Sequence, residues 1–219
     1  MSTQTDAVDQ SISSSPTSGL MILYDVRWTT YEQLLADHEG RSSPRFTFDC
    51  GTLEIMSPPA EHEKCNRTIA LFVEILAEEL KIDIEDFGST TFRRSDLARG
   101  FEPDSCFYIK NEVLIRGKQE IDLSIDPPPD LVIEIDLTSR ALDKLSLYAQ
   151  IGVPEIWRYD GRRFGIFGLS NGTYPRIDRS VAFPIITPPV IETFLLEAKN
   201  SKRTALVKSF RNWIRGQQK

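Results

Sequence analysis

Residues 126–160 read DPPPDLVIEIDLTSRALDKLSLYAQIGVPEIWRYD, and the order of elements follows from them. Asp126-Pro-Pro-Pro-Asp130 punctuates the chain sharply, because each proline fixes φ and removes a backbone donor. Leu131–Ile135 is then an aliphatic run interrupted only by Glu134. A run without polar alternation predicts a strand buried on both faces. A helix is expected from Ser139 to Gln150, stopped at Gly152. Glu155–Tyr159 is a second strand, turned by Asp160-Gly161 into another at Arg163–Gly168.

Upstream, Thr29–Asp37 has a helical pattern with Thr29 or Thr30 as cap. Arg45–Asp49 and Thr52–Met56 alternate around Cys50-Gly51, which predicts a hairpin. Ser57-Pro58 suits a helix start, with serine as cap and proline in the first turn. From about Pro59 to Lys81, Cys65, Ile69, Phe72, Leu76 and Leu80 recur at steps of three and four, which predicts a long core-facing helix. A strand is expected near Ser89–Arg93, another at Asp104–Ile109, and an edge hairpin within residues 111–126. Downstream, Asn171-Gly172 turns into a last strand at Thr173–Ile177, and helices are expected at Val190–Ala198 and Thr204–Arg215.

The 219 residues suit one domain with a tail. Residues 1–19 are polar and Ser/Thr-rich and are read as disordered. They lack the apolar core of a signal peptide, and no apolar run is long enough to span a membrane. Three widely spaced cysteines, Cys50, Cys65 and Cys106, suit a reducing cytoplasm. With only two histidines, His38 and His62, a zinc site is nearly excluded, so any metal should be held by oxygen, meaning Mg²⁺ or Mn²⁺. Net charge is −6, yet no acid follows Glu197, while Lys199, Lys202, Arg203, Lys208, Arg211, Arg215 and Lys219 do. The chain therefore divides into a tail (1–19), a body (20–198) and a basic helical segment (199–219). That segment carries Leu206, Phe210, Trp213 and Ile214 at helical spacing; it either packs on the body with a solvated basic face, contacts phosphates, or meets a second copy.

The chemistry-bearing residues lie between Glu102 and Tyr159. Glu134 sits inside an aliphatic strand, where a carboxylate is rare unless paired or liganded. Asp136 lies two residues on, on the same side of the strand, or else caps the following helix. Asp104, in EPDSCFYI (102–109), heads the strand expected beside it. Three converging carboxylates repel one another, and a divalent cation offsets that repulsion. Asp104, Glu134 and Asp136 are thus candidate metal ligands. Lys144, on the following helix, can orient water or stabilise a transition state. His62 is either a helix-start surface residue or a base facing the site, and Asp130 reads as a turn residue.

Three stretches, GTLEIMSPPAEHEKCNRTIA (51–70), EPDSCFYI and PPDLVIEIDLTSRALDKLSLYAQIGVPEIWRYD (128–160), resemble the Uma-two family of restriction endonucleases, within the PD-(D/E)XK nuclease superfamily. The resemblance runs from about Trp28 to Glu197. It implies an α/β restriction-endonuclease-like core, a central mixed sheet flanked by helices. It also implies Mg²⁺- or Mn²⁺-dependent hydrolysis of DNA, with Asp104 as the acid of the PD half, Glu134 as that of the (D/E)XK half, and His62 at a recurrent histidine position. The expected lysine two residues after the acid is replaced by Asp136. Three readings follow: Lys144 supplies the amine from the helix, Asp136 adds a metal ligand, or the site has decayed and the protein only binds nucleic acid or regulates. Cutting both strands of a duplex favours two sites, which makes a homodimer a candidate assembly.

Overall fold

The computed structural model describes residues 19–137, 142 and 144–218. The tail read at 1–19 lies outside them except for Gly19, as do residues 138–141, Asp143 and Lys219. Two sheets form. The first is antiparallel, in the order β1 (Gly19–Leu23), β3 (Thr52–Ser57), β2 (Arg45–Asp49), β6 (Arg99–Phe101), β5 (Phe92–Arg94). The second has the order β11 (Arg176–Ile177), β10 (Phe164–Gly168), β9 (Glu155–Tyr159), β8 (Leu131–Ile135), β7 (Ser105–Tyr108), β4 (Glu85–Gly88). Only β8 and β9 are parallel, so the sheet is mixed. Helix α4 (Lys144–Ile151) lies in the connection between them, because parallel neighbours need a crossover.

The mixed sheet is covered on both faces. Leu131, Ile133 and Ile135 of β8 join the core built with α2 (Ala60–Leu80), α5 (Pro188–Asn200) and α6 (Arg203–Gln217). Val132 faces the other way, into a core with Leu147 and Tyr148 of α4 and with Phe92 and Phe101 of the first sheet. Every residue of β8 is buried, Glu134 included, as its lack of polar alternation predicts. Glu134 alternates with Val132 and therefore meets α4. The first sheet has its own core, in which Tyr31 of α1 (Trp28–Asp37) stacks on Phe48. Gly100 in β6 lies directly under that ring: a Cβ there would sit 2.1 Å from the tyrosine oxygen.

Most expected elements form where the periodicity places them. In the β2–β3 hairpin, Cys50 and Gly51 both adopt positive φ, which matches the twist of the flanking strands. Helix α2 buries Ile69, Phe72 and Leu76 completely. Helix α4 ends at Gly152, whose positive φ of 82° suits a glycine stop. Its expected start at Ser139 falls outside the described residues.

Other expectations are corrected. Neither Thr29 nor Thr30 caps α1; Arg27 does, with no side-chain bond. Ser57 completes β3, and α2 begins after Pro59, again without a side-chain cap. The strand expected near Ser89–Arg93 forms only as the short β5 (Phe92–Arg94), and β4, just upstream and in the other sheet, is an additional strand. Residues 111–126 form no hairpin: α3 (Glu112–Ile115) opens the segment and turns follow. The last strand shrinks to β11, with an isolated bridge between Ser170 and Thr173. Strands β1 and β6 are unanticipated.

Helix α6 packs on α2 and α5 through Leu206, Phe210 and Ile214, all buried. Phe210 centres a cluster with Phe72 at 4.6 Å and Phe194 at 4.8 Å between ring centroids. Arg211 and Arg215 bond to Glu78 and Glu79 of α2. Exposed pairs of this kind contribute little, so the apolar seam holds the helix. Phe210→Ala is expected to cost about 3–5 kcal/mol in urea unfolding. A loss under about 1 kcal/mol would show that α6 is not integral to the core.

Candidate active site

Asp104 and Glu134 occupy adjacent strands. In the β7–β8 ladder Ser105 faces Ile133, so one further step sets Asp104 against Glu134. Asp104 is 1% exposed. One carboxylate oxygen accepts a bond from the Arg45 guanidinium of β2. The other accepts the Ile135 N–H at 2.6 Å. The Asp104 carbonyl accepts from Asn66 Nδ2 at 2.9 Å, and Asn66 Oδ1 accepts from the Ser105 hydroxyl at 2.9 Å. Helix α2 thus pins the head of β7. His62, one turn before Asn66, brings Nε2 to 3.3 Å from Asp104 Oδ2. That is close enough for an ion pair but misaligned for a hydrogen bond, since among the described residues neither ring nitrogen has a hydrogen-bond partner although His62 is buried.

Glu134 is held by α4. Lys144 and Tyr148 are four residues apart and share one helix face. Lys144 Nζ stands 3.5 Å from both Glu134 oxygens and donates to the Glu102 carbonyl at 3.1 Å. The Tyr148 hydroxyl donates to Glu134 Oε1. The Lys144–Glu134 pair is nearly closed to solvent, at 6% and 4% side-chain exposure. Burying an ion pair seldom adds stability over apolar side chains of similar volume.

Asp136, the third expected ligand, has its carboxylate bonded to Arg158 of β9. Its N–H donates to the Tyr159 carbonyl at 2.8 Å, which extends the β8–β9 pairing. Asp130 bonds the N–H groups of Ile109 and Asn111 and the Asn111 side chain, as a turn anchor would. Glu155 on β9 is a useful contrast: fully buried, it accepts from Trp157 Nε1, Val181 N–H and Ala182 N–H at 2.6–2.9 Å. It is a buried carboxylate with ordinary structural partners.

Arg45, Asn66, Tyr148 and Glu102 were not anticipated. Tyr148 and Asn66 follow Lys144 and His62 at helical spacing, a signal that was available. Glu54, buried in β3 and accepting from the Leu142 N–H at 3.3 Å, is like Glu134 a carboxylate inside a largely apolar strand. Nothing in the sequence marks Arg45.

A polar cleft of about 640 Å³ opens beside Asp104, lined by Arg45, Arg67 and Arg203 and also by the carboxylates of Glu63, Glu74 and Asp86. Among the described residues no group of three or more His, Cys, Asp or Glu side chains is arranged to hold a metal. The donor chemistry nonetheless fits Mg²⁺ or Mn²⁺, because Asp104 and Glu134 offer hard oxygens. Mg²⁺ commonly takes only one or two carboxylates and keeps several waters.

Residues 28–197, more than three quarters of the chain, match the Uma2 family, described as "Putative restriction endonuclease". The chain belongs to this family, which is usually placed in the PD-(D/E)XK nuclease superfamily. No curated protein matches it. Among the described residues no helix is long and apolar enough to cross a membrane.

Burial pushes the Glu102 carboxyl above its ordinary range, against the lowering effects of Thr91, Arg45 and Lys144. A carboxyl raised in the folded state contributes stability below its unfolded value near 4.3 and loses it as pH rises through the folded value. Glu102→Gln, neutral throughout, should therefore melt above wild type at pH 7, with the gap closing towards about pH 4. Thermal melts across that range check the sign; a gap that widens on acidification would refute the assignment.

Proposed function

We propose that this protein is a Mg²⁺- or Mn²⁺-dependent endonuclease that hydrolyses DNA phosphodiester bonds at Asp104, Glu134 and Lys144, in the cytoplasm. The observation that carries this reading is the buried Lys144 amine, 3.5 Å from both oxygens of Glu134. An amine delivered from α4 stands in for the lysine absent from position 136.

Asp104 and Glu134 would hold the ion, with Asp136 close along β8. When bound, the ion lowers the pKa of water and neutralises charge on the phosphate. Lys144 holds one donor on Glu102 O and aims its remaining protons towards Glu134, where it can orient the attacking water or a phosphoryl oxygen. Tyr148 and the Ile135 N–H fix the two carboxylates in place. His62 Nε2, beside Asp104 and without a hydrogen bond among the described residues, can take or give a proton. Water gives up a proton as it adds to phosphorus, the bond to the leaving sugar oxygen breaks, and that oxygen takes up a proton in its turn. Arg67 and Arg203 line the adjoining cleft and would meet the phosphodiester backbone.

One observation favours a second reading, a decayed module that binds without cutting: the Arg45 guanidinium already occupies an oxygen of Asp104. Cleavage of plasmid DNA separates the two. Asp104→Asn and Glu134→Gln should each lower Mn²⁺-dependent cleavage by about 10²-fold or more, and Lys144→Ala by a similar factor, in proteins that still melt cooperatively. Full activity in folded Glu134→Gln would exclude this site. An inactive wild type that binds DNA equally with and without chelator would support the decayed module.

A further inference from the structure

We infer that β1 is a self-association edge, on which a second copy of this chain pairs antiparallel to join the two five-stranded sheets into one. The inference rests on strand chemistry and stands whether or not the site cuts DNA.

A sheet edge exposes a row of backbone donors and acceptors, and proteins ordinarily blunt it with charge, irregularity or brevity. Three of the four edges here are blunted. Strand β5 is three residues long and carries Arg93 and Arg94. Strand β4 carries Glu85 and Asp86, and its register is broken between Asp86 and Gly88. Strand β11 is two residues long and includes Arg176. Strand β1 has none of these devices. Its sequence is Gly-Leu-Met-Ile-Leu, it pairs with β3 at all five positions without a shift, and no described strand lies on its other side. Met21 (57%), Leu23 (41%) and Tyr24 (71%) are exposed along it.

Charge points to the occupant. Each chain has a net charge of −6, so two copies that meet on an uncharged surface avoid setting like charges together. Residues 19–24 contain no charged side chain, so pairing the strand with itself sets no like charges together. A nucleic acid would find no cation there. Antiparallel self-pairing about the strand centre has twofold symmetry and closes after two copies. It sets Met21 opposite the partner's Met21 and Leu20 opposite the partner's Ile22. A seam this short belongs to the weak, concentration-dependent class.

Sedimentation equilibrium of the full chain from about 1 to 100 µM should show a monomer of 24.9 kDa passing to twice that mass. Met21→Lys combined with Leu23→Lys should hold it monomeric with an unchanged circular dichroism spectrum. Because the double variant can misfold, a second variant reads the geometry: Met21→Cys in a Cys50→Ser background should form an intermolecular disulfide under mild oxidant. A wild type that stays monomeric throughout overturns the inference, whether residues 1–18 or another protein cover β1. So does a dimer that survives in the folded lysine variant, or one that yields no disulfide at position 21.

Discussion

Asp104 is the group on which the two sheets and the long helix agree. A carboxylate that is 1% exposed is tolerated only when its oxygens are satisfied, and its partners come from separate elements. Arg45 reaches it from the first sheet, the Ile135 N–H from the neighbouring strand, and His62 from α2, while Asn66 holds its carbonyl. Removing the carboxylate would leave the buried guanidinium with only its 3.6 Å contact to Glu63, a loss of up to about 3–5 kcal/mol. The junction of the sheets is therefore set by the residue proposed to face the metal, and it follows that assays of this site should use Asn rather than Ala at position 104.

Glu134 adds the second half. Its strand is sealed on both faces, and the β8–β9 crossover returns α4 over the side to which Glu134 points. Lys144 and Tyr148 then close on it. Glu155 and Asp130 are held differently, by short backbone, amide or indole donors. Glu134 instead faces an ammonium and a hydroxyl, both able to exchange protons or give way to a ligand.

Strands and helices with strong periodicity were legible in the sequence. Leu131–Ile135 declared its burial by lacking alternation, α2 by its stripe of Ile69, Phe72 and Leu76, and the β2–β3 hairpin by Cys50-Gly51. Short elements were not: β1 and β6 depend on partners distant in sequence, and α3 is a single turn whose polar surroundings resemble an edge hairpin. Caps failed because α1 and α2 follow Arg27 and Pro59, which leave the first N–H groups without a side-chain acceptor. In the site, Asp104, Glu134 and His62 carried local marks, and Lys144 followed from helix geometry once position 136 held an acid. Arg45 could not be read, since a basic residue opening a strand is ordinarily a solvated one and its burial is imposed by a carboxylate 59 positions away.

Calorimetric titration of Mn²⁺ into the wild-type chain and into Glu134→Ala tests most directly whether Asp104 and Glu134 form a metal-holding pair. Saturable binding in wild type that vanishes in a variant with a native spectrum is the predicted result. No binding to wild type, or equal binding to the folded variant, would contradict it.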